Sequence, residues 1–315
     1  MCRNRNFTRV LPAIVLSVVL LAGCTRLPGK MDNKLEQNNS NEVQQNLGIA
    51  LQQEVGKAAA NLEQSVEDST ATLAETIKSK RISQQLSDTK DIGSSTVLNI
   101  SNPVGDIEAK PVSGHEIIVN TTLWFDDAPS HKSDRQEIID NAKVTIQISG
   151  DNINVSTQAK DNPSKDLWSW AEDEFDYSNF SIDYMIEIPD GVDMYQITNN
   201  VGKIKLYNLQ GTYRVASNVG AVSISGAEFS GKSTVETDTG SIHLDIMDID
   251  PDSSLKVKTD IGSLTASLEK SLKCTLDTKS ELGVITGAVK GKSDVNGGGP
   301  LISLNTSIGA LTVDK

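Results

Sequence analysis

The sequence of 315 residues is poor in the groups that catalysis draws on. It contains three histidines, His115, His131 and His243, and three cysteines, Cys2, Cys24 and Cys274. It has no H-E-x-x-H, C-x-x-C, G-x-S-x-G or phosphate-loop motif. The usual signatures of a zinc protease, a thiol redox centre, a serine hydrolase and a nucleotide enzyme are therefore missing. No motif calls for a cofactor. Aromatic residues make up 4% of the chain. Basic residues are also in deficit, with 29 Lys and Arg against 42 Asp and Glu and a formal charge of −13. A chain this acidic is repelled by phosphate backbones, which argues against nucleic acid as a partner.

The N-terminus does not read as part of a folded domain. Arg3, Arg5 and Arg9 precede an apolar run from Val10 to Ala22. That run is too short for a membrane-spanning helix, which needs about 20 residues, and it has the layout of a secretory signal over residues 1–23. The stretch Leu21-Ala22-Gly23-Cys24 resembles the lipobox of bacterial lipoproteins. The resemblance implies that Cys24 is lipidated, as with palmitate, and becomes the mature N-terminus. The protein would then be extracytoplasmic, anchored to a bacterial membrane without crossing it. Removing residues 1–23 takes away three arginines and no acids, moving the charge from −13 to −16. Cys274 would be left without a disulfide partner. It alternates with Leu272 and Leu276 onto one strand face, which makes it an apolar filler.

Residues 24–40 are polar and interrupted by Pro28 and Gly29, as in a tether. Residues 41–88 predict a long α-helical spacer. Leu47, Leu51, Val55, Ala58, Leu62, Val66, Ser69, Leu73 and Ile77 recur at helical steps of 4 and 3. Fully helical, such a segment would reach on the order of 60 Å. The narrow stripe fits a solvated spacer, a helix lying on a membrane or on the protein itself, or a self-associating stalk. Glu54, Glu63, Glu67, Asp68 and Glu75 argue against the lipid surface, where Lys and Arg are usual.

From residue 92 onward the period falls to two. Strands are predicted over "STVLNISNPVGDIEA", "EIIVNTTLWF" and "FSIDYMIEIPDG", with a hairpin turning at Gly150-Asp151. Ser133 and Gln136 read as a capping box opening a short helix over roughly 134–142. The segment "KDNPSKDLWSWAEDEFDYSN" reads as a loop. Seven glycines then align: Gly105, Gly202, Gly220, Gly240, Gly262, Gly283 and Gly309. Two positions after each stands an aliphatic residue. Three before stand Asn102, Asn199, Ser217, Thr237, Thr259, Ser280 and Thr306. Each unit is a strand, a glycine turn and a second strand, repeating every ~21 residues. A unit this small cannot bury its apolar face alone. Stacking the units as coils solves the problem, so the chain is expected to be mainly β, a β-solenoid with a polar ladder at the turns.

The stretch "SIDYMIEIPDGVDMYQITNNVGKIKLYNLQGTYRVASNVGAVSISG" and the later "NGGGPLISLNTSIGALTV" are similar to the bacterial family named "putative adhesin", over residues 92–315. The resemblance implies a β-solenoid-like domain at a cell surface and leaves the ligand open.

Two groups of residues stand out as candidate sites. Trp168 and Trp170 lie in the acidic predicted loop, where they would either cap the stack or stack on a sugar or protein ligand. Asp238 and Asp260 occupy the same turn position in successive units, close enough to share a hydrated cation or simply to suit the turn. His243 points outward from its strand. These features predict a non-catalytic, membrane-anchored binding, adhesion or scaffolding module with a protein or glycan ligand. An envelope-stress or assembly component contacting membrane proteins or cationic peptides is the second reading. A polysaccharide-acting enzyme is the third.

Overall fold

The computed structural model describes residues 81–126 and 129–315. Cys24, the signal, the tether and residues 41–80 of the predicted spacer lie outside the described residues. Among the described residues, no helix is long and apolar enough to cross a membrane.

The predicted helix does not extend to residue 88. Arg81–Asp91 forms β1, an edge strand antiparallel to β4 (Glu116–Asp126) along its whole length. Helical spacing already fails after Ile77. Gln84, Leu86 and Asp88 alternate toward the protein, and the unpaired edge of β4 supplies the backbone partners that a helix would supply internally.

The domain is mainly β, and its 21 strands join in one hydrogen-bonded network with two ladders. In the first ladder, sheet B, neighbours run in the order β5 (Ala142–Ser149), β6 (Asn152–Ala159), β2 (Val97–Val104), β9 (Met194–Val201), β11 (Gln210–Val219), β13 (Lys232–Thr239), β15 (Ser254–Ile261), β20 (Leu301–Ile308), β17 (Cys274–Leu282) and β19 (Gly291–Val295). The second ladder, sheet A, begins with β1, β4 and β8 (Phe180–Ile188). It continues through β3 (Ile107–Pro111), β10 (Ile204–Tyr207), β12 (Val222–Phe229), β14 (Ile242–Ile249), β16 (Leu264–Leu268), β21 (Leu311–Asp314) and β18 (Ile285–Thr286). Everything between β2 and β17, and between β8 and β18, is parallel. The inward residues of both sheets merge into one apolar core, including Leu98, Ile197, Val215, Val257 and Leu304 from sheet B and Ile107, Ile204, Ile242 and Leu264 from sheet A. Each such side chain contributes roughly 1.5–3 kcal/mol on burial.

Glycine is required at the corner between the sheets because the backbones nearly touch there. A Cβ on Gly220, at φ +142°, would sit 2.0 Å from the carbonyl oxygen of Gly202 in the neighbouring strand–turn–strand unit. The contact recurs from Gly105 to Gly309, and at Gly283 against Gly309. The same carbonyl oxygens receive the polar residue three positions before each glycine. Asn199 Nδ2 donates to Gly105 O at 2.9 Å, Thr259 Oγ1 to Gly240 O at 3.0 Å and Thr306 Oγ1 to Gly262 O at 3.1 Å. The predicted polar ladder is thus a buried column that satisfies carbonyls which no strand can reach. Ser217 Oγ is buried there without a hydrogen bond.

The strands do not pair in chain order. The last strand of sheet B, β20, lies between β15 and β17, so that Thr306 stands between Thr259 and Ser280. Likewise β21 lies between β16 and β18. The cause is β19, which turns back antiparallel onto the outer side of β17. The turn through Asn296, Gly297 and Gly298, all at positive φ, then brings the chain round to the inner side. Asn296 Nδ2 holds this turn through Lys270 O and Leu272 O, at 2.9 and 2.8 Å.

The opposite end carries the insertion between β4 and β8. The hairpin of β5 and β6 turns at Gly150, as its sequence predicts. The short helix α1 spans Lys132–Asn141 and has no capping box. His131 is its N-cap residue without a side-chain cap bond, and the Ser133 hydroxyl donates to Asp134 instead. Arg135 in α1 is 2% exposed and reaches Asp126 at 3.6 Å. Tyr177 also donates to Asp126, and His131 stacks on its ring.

Candidate functional site

The predicted loop containing Trp168 and Trp170 is instead strand β7 (Asn162–Asp166) followed by helix α2 (Leu167–Phe175). Asp166 caps the helix by accepting from Ser169 N at 2.9 Å, a signal that reading the stretch as a loop missed. Leu167, Trp168, Trp170 and Ala171 share one helical face, and all four are buried. Trp168 is 9% exposed, donates its indole N–H to Phe180 O and stacks on Phe180. Trp170 is 6% exposed and meets Phe175 edge to face. Both indoles are buried against aromatic neighbours, which leaves the binding-loop expectation for Trp168 and Trp170 without an exposed ring to stack on a ligand.

Asp238 and Asp260 do stand on neighbouring strands in register, between the Thr237–Thr259 and Thr239–Ile261 pairs. Asp260 is held by Lys258 at 2.7 Å, and this carboxylate raises the lysine pKa through its hydrogen bond and charge. Lys258 already offsets one of the two carboxylate charges, and a cation would compete with it for Asp260. Among the described residues, no three or more His, Cys, Asp or Glu side chains gather as a metal site. Cys274 is buried, and burial pushes its thiol pKa up. His243 is exposed on sheet A and Lys205 is half-buried there.

What remains are the two outward faces, which differ in chemistry. On sheet A, a shallow groove of about 490 Å³ is lined by Gln85, Asp106, Glu108, Asn120, Asp183 and Met185, among others. Two of its carboxylates are tied to structure. Asp183 accepts from Asp106 N and from Trp124 Nε1, at 2.9 and 2.7 Å, and Asp106 accepts from Lys203 N at 2.9 Å. Glu108 lines the groove beside them.

The outward face of sheet B from β5 to β11 is the opposite. It contains no Asp or Glu on its strands. Its side chains are mostly amides and hydroxyls, with Lys143 and Arg214 as the charges. Register sets Asn154, Asn99, Gln196, Arg214 and Thr234 in one row across five adjacent strands. Ser101, Thr198, Ala216 and Glu236 form the next row. These two rows line a groove of about 500 Å³. Glu236, at its far margin, is taken up by Lys256 at 2.7 Å.

No protein-family model matches the chain, and no curated protein matches it. Two solved structures are similar in fold search. One is described as a putative cell adhesion protein from Clostridium sporogenes, with 10% identity and a TM-score of 0.38, covering 73% of this chain and 99% of that one. The other is described as a putative adhesin from Bacteroides fragilis, with 10% identity and a TM-score of 0.26, covering 73% of this chain and 97% of that one. Likenesses this distant bear on neither ligand nor mechanism.

Proposed function

We propose that the protein is a non-catalytic, adhesion-type binding module, a β-solenoid of stacked coils held at a bacterial membrane by a lipid on Cys24. The observation that carries the reading is the acid-free face of sheet B. In a chain with 42 acidic residues, a five-strand face without one is a surface kept open to a ligand. The groove rows on β6, β2, β9, β11 and β13 are paired on both sides and offer no strand edge, so recognition there runs through side chains. Residues 41–80 act as a spacer up to the start of β1, through which copies of the chain can self-associate. The test is site-specific photo-crosslinking in intact cells with probes at Gln196 and Thr198, and at His243 on sheet A as control. Adducts from the sheet B probes alone support the reading, and adducts from His243 alone overturn it. For the anchor, Cys24→Ala is expected to release the chain from membranes, measured by fractionation with an alkyne fatty-acid label.

A second reading, an envelope-stress or assembly component gripping cationic peptides, draws on the sheet A groove. Asp106, Glu108 and Asp183 surround Met185 there, which is 47% exposed. It predicts that a probe at Met185, in that groove, captures envelope proteins and that the sheet B probes do not. The polysaccharide-enzyme reading loses ground because the two aspartates of that groove are engaged by backbone and indole donors.

A further inference from the structure

We propose that the sheet B groove binds a linear polysaccharide bearing carboxylate groups, with one carboxylate seated on Arg214. This rests on the reading of sheet B as the contact face. Arg214 is exposed, and among the described residues it has no ion-pair or hydrogen-bond partner. The nearest acid in the groove, Glu236, is engaged by Lys256 at 2.7 Å. A free guanidinium in a groove whose one carboxylate is taken up by Lys256 is suited to bidentate capture of an incoming one.

The surroundings choose the rest of the ligand. Asn154, Ser101, Thr198 and Thr234 line the groove, and their side chains make no hydrogen bond within the described residues. Gln196 reaches only the Met194 sulfur, at 3.8 Å. Amides and hydroxyls both donate and accept, as sugar hydroxyls do. Adjacent strands lie about 4.8 Å apart, close to the length of a pyranose ring. A glycan lying across the strands therefore meets the row Asn154, Asn99, Gln196, Arg214, Thr234 roughly one residue per sugar. Ala216, beside Arg214, leaves room for the ring.

Other polymers fit less well. A peptide added as a strand needs a free edge, and the groove rows on β6 to β13 are paired on both sides. Nucleic acid needs many phosphate contacts from Lys and Arg, and this part of the face carries Arg214 and Lys143.

The experiment is titration calorimetry of the full-length chain in detergent. The probes are oligogalacturonate, the same oligosaccharide after carboxyl reduction, and dextran sulfate. Oligogalacturonate is expected to bind at least tenfold more tightly than its reduced form. Arg214→Ala is expected to weaken it roughly 10- to 100-fold, as for loss of a charge-assisted hydrogen-bond pair, while Arg214→Lys loses less and Lys205→Ala on sheet A changes nothing. Equal binding of the charged and reduced sugars, unaffected by Arg214→Ala, overturns the carboxylate assignment and leaves the sheet B face standing as the contact surface. Tighter binding of dextran sulfate that ignores Arg214 also overturns it. No binding of any probe, together with crosslinks only from sheet A, overturns both the carboxylate site and the sheet B reading.

Discussion

At the residue scale, the fold depends on a column of glycines whose side chains are forbidden by a neighbour's backbone. In Gly240→Ala, the new Cβ meets the Gly220 carbonyl oxygen at 2.1 Å, at a φ of +148°. The combined clash and strain should cost roughly 3–5 kcal/mol. Gly93→Ala, at φ +59° with nothing within 4 Å, should cost about 1 kcal/mol. Urea denaturation of the two variants checks the contrast. Thr259→Val keeps the shape and removes the hydrogen bond to Gly240 O. It should cost about 1 kcal/mol, or up to about 3 kcal/mol if that buried carbonyl is left unsatisfied. The glycine and polar columns were legible in the sequence because each repeat places the same residue type at the same offset. Arg214 was not. Nothing in its own repeat marks it, and its meaning comes from strands far along the chain, brought beside it by register.

At the element scale, the sequence was most readable where one period held over a full strand. The hairpin at Gly150, the strand ending before Pro189 and the repeat strands all appear where alternation places them. It misled where tertiary partners decided the outcome. Residues 81–88 became a strand because β4 offered an edge. The segment around Trp168 became a helix because Asp166 caps it and a core receives its apolar face. That helix closes the stack, so Trp168→Ala should destabilise the domain by about 3–5 kcal/mol, measured by thermal melting. A solvent-exposed indole would cost far less, so a change within ~0.5 kcal/mol would put the ring back in solvent.

At the scale of the whole molecule, the buried phenols set a limit at alkaline pH. Burial raises the pKa of Tyr177 to about 12 and drives those of Tyr184, Tyr195 and Tyr213 still higher. Burial likewise raises that of the Cys274 thiol. Each group holds its proton more tightly in the folded chain than in the unfolded one. The stabilising contribution is full below the unfolded pKa and is lost as pH rises toward the folded value. The window opens near pH 8.5 for the thiol and near pH 10 for the phenols. These groups should leave the urea midpoint flat to about pH 8 and lower it steeply above about pH 10. A midpoint that held through pH 11 would show the phenols to be solvent-accessible.

The out-of-order strand β20 has a kinetic consequence. A ribosome releases β15 and β17 before it releases β20, although β20 is the strand that joins them. The gap in sheet B stays open until residues 301–308 exist. The final act of folding is therefore an insertion, a clasp pushed between two strands already made, rather than growth at a free end. A long-range closure of this kind is slow compared with local pairing. While it waits, the open gap is a receptor of the right shape for the same strand from a second molecule.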